Sequence, residues 1–362
     1  MSATGTIEGL GSLTKQAEIR LVEQLGSFLV GEPAHLSVSV VDLHGSVIAS
    51  SSPDHLGNAE AVAAAVVGAF PSLGVGDAVV VSDPYSGSAH VQDHWIALPF
   101  HEGGSPRALV VVQAHLADVG GQAFGNYYPY ARDVWQEGVV TTPVRLVRGG
   151  AMDGDVMSAL KLNSRAPVLI GHDITLMHRV GLEVAERLSP GALAAEIAAQ
   201  IPVAHERVRE LATRITEDVV LGSAIHNCAG PDARVSVTLA TGGRKVVVDL
   251  TDCSSQVEEG FINSTLATTR SAVARAFIQH TGAPFNSGVL DALEIRTTSG
   301  SIIDCRPPVA VGWSPFEPGL AIVDLLCEAL SRWSEQRVPL RVREPIRPPV
   351  RIDGCRREGC RF

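Results

Sequence analysis

The tightest constraint on this chain lies between Ser82 and Gly121, where two short polar clusters, His90-x-x-Asp93 and His115-x-x-Asp118, bracket two apolar runs. The runs His94 to Phe100 and Arg107 to Ala114 have the length and composition of strands, and the polar, glycine-containing stretch between them predicts a hairpin. A hairpin brings the start of its first strand beside the end of its second. His90 and Asp93 are therefore expected near His115 without any long-range folding assumption. Imidazole nitrogen plus carboxylate oxygen suits a borderline divalent ion such as Zn, Mn or Fe(II). The same spacing also describes an ordinary His–Asp hydrogen bond, and a chain with 12 histidines pairs some of them by chance. HxxD is a weak signal, and spacing leaves both readings open.

The flanking chain reads as alternating helices and strands. Thr14 to Val30 predicts a helix with Ile19, Val22, Leu25 and Leu29 on its apolar face. Strands follow at His35–Val41 and Ser46–Ser50, turned by Asp42 to Gly45, then an Ala-rich helix from Ala59 to Phe70 and a short buried strand from Asp77 to Val81. His55 has two readings, a site-lining group or a loop cap. Tyr127 and Tyr128 belong to an aromatic loop, Gln122 to Tyr130, which reads either as a substrate-pocket wall or as surface packing. Asp173 to Val219 predicts helix broken at Pro190 and Pro202. Arg234 to Thr251 predicts a second hairpin turned at Thr241–Arg244. The expected class is α/β (α+β): a mixed-sheet core over residues 1–150, metal-binding if the His–Asp clusters hold an ion, a helical region over 151–220 and a smaller α+β part over 221–330.

Residues 331–362 change character, with nine arginines against four acids from Arg332 onward and no hydrophobic period. Truncation or a frameshift is one expectation for this tail, and a basic segment that docks an acidic partner is the other. At 362 residues, 45% hydrophobic and 19% charged, the chain has ample material for a core, and a net charge of −10 disfavours nucleic-acid binding. No 18-residue apolar run and no charged leader with an apolar stretch occurs, so a cytoplasmic protein without membrane spans is expected. The six cysteines form no CxxC pair and read as free thiols. Neither GxxxxGK[ST] nor GxGxxG occurs, so nucleotide binding by this chain is not supported.

Asp83-Pro84-Tyr85, Gly87, His90 and Asp93, followed by Ala114-His115 and Ala117-Asp118-Val119-Gly120-Gly121, resemble the NDPY-x-GG-THLPD and AHHADVGG stretches of the hydantoinase B/5-oxoprolinase family, related to the acetone carboxylase large subunit. Ser82, Ser88, Ala89, Val91, Gln92 and Leu116 depart from that pattern, which puts the substrate-side lining in doubt. Further matches are Glu137-Gly138-Val139, Asn163-x-Arg165-x-Pro167, Asn263 with Thr269 to Val273, and Arg306 to Gly312. The resemblance implies that His90, Asp93 and His115 hold a divalent metal ion (Zn, Mn or Fe). Asp118 would orient a ligand or act as a base, and Glu137 is a candidate fourth ligand or general base, with a helix-start or salt-bridge role as its alternative. Arg165 reads as an anion clamp or a structural ion pair. The implied activity is metal-assisted opening of a small-molecule cyclic amide. A hydantoinase A-type subunit would use ATP to activate that substrate, so a hetero-oligomer is expected. Carboxylation of a ketone, as in the acetone carboxylase branch, is one alternative, and a truncated, non-catalytic partner-binding subunit is another.

Overall fold

Alternating apolar residues in the first half build a seven-stranded sheet in the computed structural model, which describes residues 9–26, 36–241 and 245–333. Its strands are β1 (Leu36–Asp42), β2 (Val47–Ser50), β3 (Ala78–Val81), β4 (Asp93–Glu102), β5 (Ser105–His115), β6 (Val144–Arg148) and β7 (Ala151–Met152). They lie in the order β2-β1-β5-β4-β3-β6-β7, and every neighbouring pair is antiparallel. The predicted hairpin is β4–β5 at its centre. Ile96, Leu98, Val110 and Val112 face one side, where α1 (Leu10–Gln24) and α5 (Pro167–Arg187) bury apolar side chains against them. Trp95, Ala97, Leu109 and Val111 face the other side, toward α2 (Leu56–Ala69).

Short helices α3 (Val134–Glu137) and α4 (Gly154–Leu162) and the long α6 (Pro190–Ala212) lie between the two halves in sequence. A smaller sheet follows in the order β11-β10-β9-β8, from β8 (Val219–Ile225), β9 (Ala233–Thr241), β10 (Val246–Asp249) and β11 (Leu293–Arg296). Only its β10–β11 pair is parallel. Helices α7 (Leu266–Thr281), α8 (Gly288–Asp291) and α9 (Pro318–Leu330) complete this half. One apolar core runs continuously from the inner face of the large sheet, through α2, α7 and α9, to the inner face of the small one.

Three expectations need correction. The first helix ends at Gln24 and buries Leu10, Leu13, Ala17 and Leu21, whereas Ile19 is 48% exposed. The spacing from Leu10 to Leu21 is itself helical, and it sets the buried face one step round from the expected one. Pro202 does not break its helix; α6 runs through it. The ring removes one backbone donor at a cost of about 3 kcal/mol, and burial of Ala204, Val208 and Leu211 in the next turns offsets this. Val219 belongs to a strand rather than to the helical region. The turn at 242–244, residues 27–35 and the tail from 334 lie outside the described residues.

Candidate metal centre

Strand register delivers two members of the site directly. Asp93, the first residue of β4, pairs with His115, the last of β5. Their side chains therefore leave the same face of the sheet. His90 comes from the turn before β4, where the Asp93 amide donates to the His90 carbonyl at 3.1 Å. The Ser88 hydroxyl lies 2.9 Å from the His90 carbonyl and 2.7 Å from that of Asp93. His90 Nε2, Asp93 Oδ1 and His115 Nδ1 form a triangle with every side 3.2 Å. Three ligand atoms each about 2.0–2.2 Å from one ion at tetrahedral or octahedral angles stand about 3.0–3.5 Å apart. The triangle has that size.

The electrostatics point the same way. His90 Nδ1 lies 3.1 Å from the Gly312 carbonyl, which can only accept, so that nitrogen carries the proton and Nε2 turns its lone pair inward. The inward Nε2 then faces the Asp93 carboxylate, an arrangement that requires positive charge between them, as a metal ion or as a proton. Burial works to raise the Asp93 carboxyl, but the imidazoles of His90 and His115 outweigh it and hold it well below the usual carboxylate range. Burial lowers the His115 imidazole, which favours the neutral, ligating form. His90 and Asp93 are fully buried and His115 is 24% exposed, so the triad opens at His115. Asp93 Oδ2, also buried, has no hydrogen-bond partner among the described residues.

An aromatic wall encloses the triad. The Tyr127 ring stacks on His115 with centroids 6.3 Å apart, and Trp313 and Phe316 close around it at 5.1 and 6.0 Å. Burial raises the Tyr127 phenol well above its ordinary value, so it keeps its proton. Tyr128 instead meets Tyr130 edge-on and packs against the main core. Glu137 is buried, and its two carboxylate oxygens accept the backbone amides of Val311 and Gly312. Burial, opposed by those two amides, pushes its carboxyl up to about 8. It therefore grips the backbone segment whose carbonyl orients His90. Its oxygens are not among the triad's ligand atoms.

Asp118 and Arg165 are engaged with each other. Arg165 Nε donates to Asp118 Oδ2 at 2.8 Å, its backbone amide donates to Oδ1 at 2.9 Å, and the amides of Gly120 and Gly125 complete the carboxylate's shell. The guanidinium also donates to the carbonyls of Gly120 and Ala123 and lies over the Phe124 ring. This network fastens the loop after β5 to the start of α5. His55 sits at the N-cap position of α2, yet its side chain makes no cap bond. Its ring lies edge-on to Trp95 instead, within electrostatic reach of His115. Gly312, Trp313 and Phe316 had no expected role. The resemblance runs through Gly312, but nothing in that segment's own sequence places it against a turn more than 200 residues earlier.

Comparison with known proteins agrees over most of the chain. The family model "Hydantoinase B/oxoprolinase" matches residues 8–343. The 5-oxoprolinase PfmaA of Pestalotiopsis fici is 23% identical over 353 residues, covering 86% of this chain and 27% of that protein. The B-type subunit of a putative D-/L-hydantoinase from Pseudomonas sp. (strain NS671) is 24% identical over 282 residues, covering 71% of this chain and 47% of its own length. The crystal structure of the ATP-dependent caprolactamase from Pseudomonas jessenii superposes with a TM-score of 0.80 at 22% identity, covering 91% of this chain and 59% of that one. This chain thus spans about half the length, or less, of the two relatives. No helix among the described residues is long and apolar enough to cross a membrane.

Proposed function

From a chain that belongs to the hydantoinase B/oxoprolinase family, we propose a B-type subunit that opens the ring of a cyclic amide after a partner subunit has activated it with ATP. The observation that carries this reading is the 3.2 Å triangle of His90 Nε2, Asp93 Oδ1 and His115 Nδ1, a spacing that one ion could bridge. When bound there, a divalent ion such as Zn, Mn or Fe(II) would supply stabilisation of developing negative charge and a bound water of lowered pKa. The residues supply the rest. Gly312 and Glu137 fix the His90 tautomer and ring position, and His115 presents the exposed edge of the triad. Tyr127, Trp313 and Phe316 exclude water from one side, and the protonated Tyr127 hydroxyl is available as a donor. The relatives' names, a putative hydantoinase of B type and an ATP-dependent caprolactamase, support both the amide substrate class and the division of labour with an A-type, ATP-using partner in a hetero-oligomer.

The test begins with metal content on freshly purified chain. We expect close to one transition metal per chain, lost in His115→Ala. The chain mixed with an A-type partner should then open hydantoin, 5-oxoproline or a larger lactam only when ATP is present. Absence of metal from the wild-type chain would remove the basis of this reading. Substrate-dependent fixation of labelled bicarbonate, without ring opening, would assign a carboxylation instead.

A further inference from the structure

The row of the large sheet next to the triad carries polar side chains without a hydrogen-bond partner among the described residues. Register sets Ser37 of β1 opposite Gln113 of β5, and Gln113 opposite Trp95 of β4. Asp93 and His115 lie two residues further along β4 and β5, so all five side chains leave the same face. Ser37, Gln113 and Trp95 are fully buried, and His55, 3% exposed, stands edge-on to Trp95 at 5.9 Å. The Ser37 hydroxyl, both amide atoms of Gln113, Trp95 Nε1, both ring nitrogens of His55 and Asp93 Oδ2 have no hydrogen-bond partner among the described residues. Buried polar atoms in folded proteins are nearly always paired, by protein or by ordered water, so a group of this size on one row calls for polar partners beyond these side chains.

Gln113 indicates what the guest is. Its carboxamide presents an acceptor and a donor side by side. The amide of a small ring is held cis, which puts its C=O and N–H on one edge, and such an edge pairs with a carboxamide through two parallel hydrogen bonds. An ordinary peptide amide is trans and has no such edge. Ser37 and Trp95 stand on either side of Gln113 in the register, and their hydroxyl and Nε1–H are the donors available for the second carbonyl of an imide ring. We propose that Gln113, supported by Trp95, Ser37 and His55, recognises the cis-amide edge of a cyclic amide whose ring approaches past His115. This deepens the cyclic-amide reading above and rests on it.

The experiment titrates the full chain, metal-loaded and metal-free, with 2-pyrrolidinone, hydantoin and N-methyl-2-pyrrolidinone. The readout is the Trp95 indole ¹H–¹⁵N resonance, assigned with Trp95→Phe. The first two probes should shift that resonance saturably, and the N-methyl probe, which lacks the ring N–H, should bind about tenfold or more weakly. Gln113→Met should abolish the difference between pyrrolidinone and its N-methyl form while metal content stays at the wild-type level. Equal binding of the two pyrrolidinones, no shift with either cis-amide probe, or a crystal structure with only water against Gln113 would overturn the proposal. Metal content on the same samples separates the two readings. A loaded chain without the cis-amide preference sinks the subsite alone, and an unloadable chain that keeps the preference sinks the metal reading alone.

Discussion

At the scale of single residues, the site depends on a relay of backbone contacts behind its ligands. Glu137 holds Gly312, and Gly312 holds His90. A Cβ at position 312 would lie 2.5 Å from Glu137 Oε1 and 3.3 Å from the Phe261 ring, so a side chain there must displace one of them. Gly312→Ala is expected to cost about 1–3 kcal/mol of stability and to weaken metal retention by tilting His90, read by urea unfolding and by metal competition with a chelator. The Glu137 carboxyl makes a second prediction. Burial raises it from an ordinary value of 4.5 to about 8, so the folded chain holds this proton more tightly than the unfolded one. The stability contributed by that proton is complete below the unfolded value and is lost as pH rises through the folded one, by up to about 1.4 kcal/mol per pH unit within the window. Glu137→Gln has no such proton. Wild-type stability relative to this variant should fall steadily as pH rises between those two values, and a flat difference in urea midpoints would refute it.

At the scale of elements, the network that ties Arg165 to Asp118 gives it a measurable structural role. Arg165→Ala strips a partner from a fully buried carboxylate and releases the carbonyls of Gly120 and Ala123. It should cost about 1–3 kcal/mol with metal content unchanged. An anion clamp would instead leave stability intact and raise KM, so unfolding and kinetics on one variant separate the two roles. The elements also show what was legible in advance. The β4–β5 hairpin was readable because its register is local: Asp93 meets His115 across one turn, and both strands are apolar throughout. Strands β8 and β11 were not foreseen. They are the two edges of the small sheet. The outward positions of β8 carry Val220, Gly222 and Ala224 rather than polar residues, which hides its alternation, and β11 alternates over only four residues. The triad itself was in the sequence, in two motifs 20-odd residues apart. Of its aromatic wall only Tyr127 was, because Trp313 and Phe316 reach the triad solely through the packing of the second half against the first.

At the scale of the molecule, that packing makes the two sheets one folding unit. Helices α2 and α7 meet so closely that a Cβ on Gly57 would lie 2.6 Å from the Ala267 carbonyl. The joint is tied by polar groups as well. Asn58 donates to the Thr268 hydroxyl and the Gly87 carbonyl and accepts from Ser271, while Glu60 and Asp54 pair with Arg270 and Arg275. The core on either side of this joint is continuous, and the Gly312 carbonyl that orients His90 comes from beyond it. A chain ending at residue 220 would keep all three ligands but lose Gly312, Trp313 and Phe316, and it should fail to retain metal. In the full chain, loss of far-UV circular dichroism, loss of the tryptophan signal and release of bound metal should coincide in a single denaturant transition. Gly57→Ala should shift all three to lower denaturant together, by about 1–3 kcal/mol, because it wedges the joint rather than the site. Two separated transitions, with metal released only in one, would mean that the halves fold independently and that the second half merely covers a site the first half makes alone.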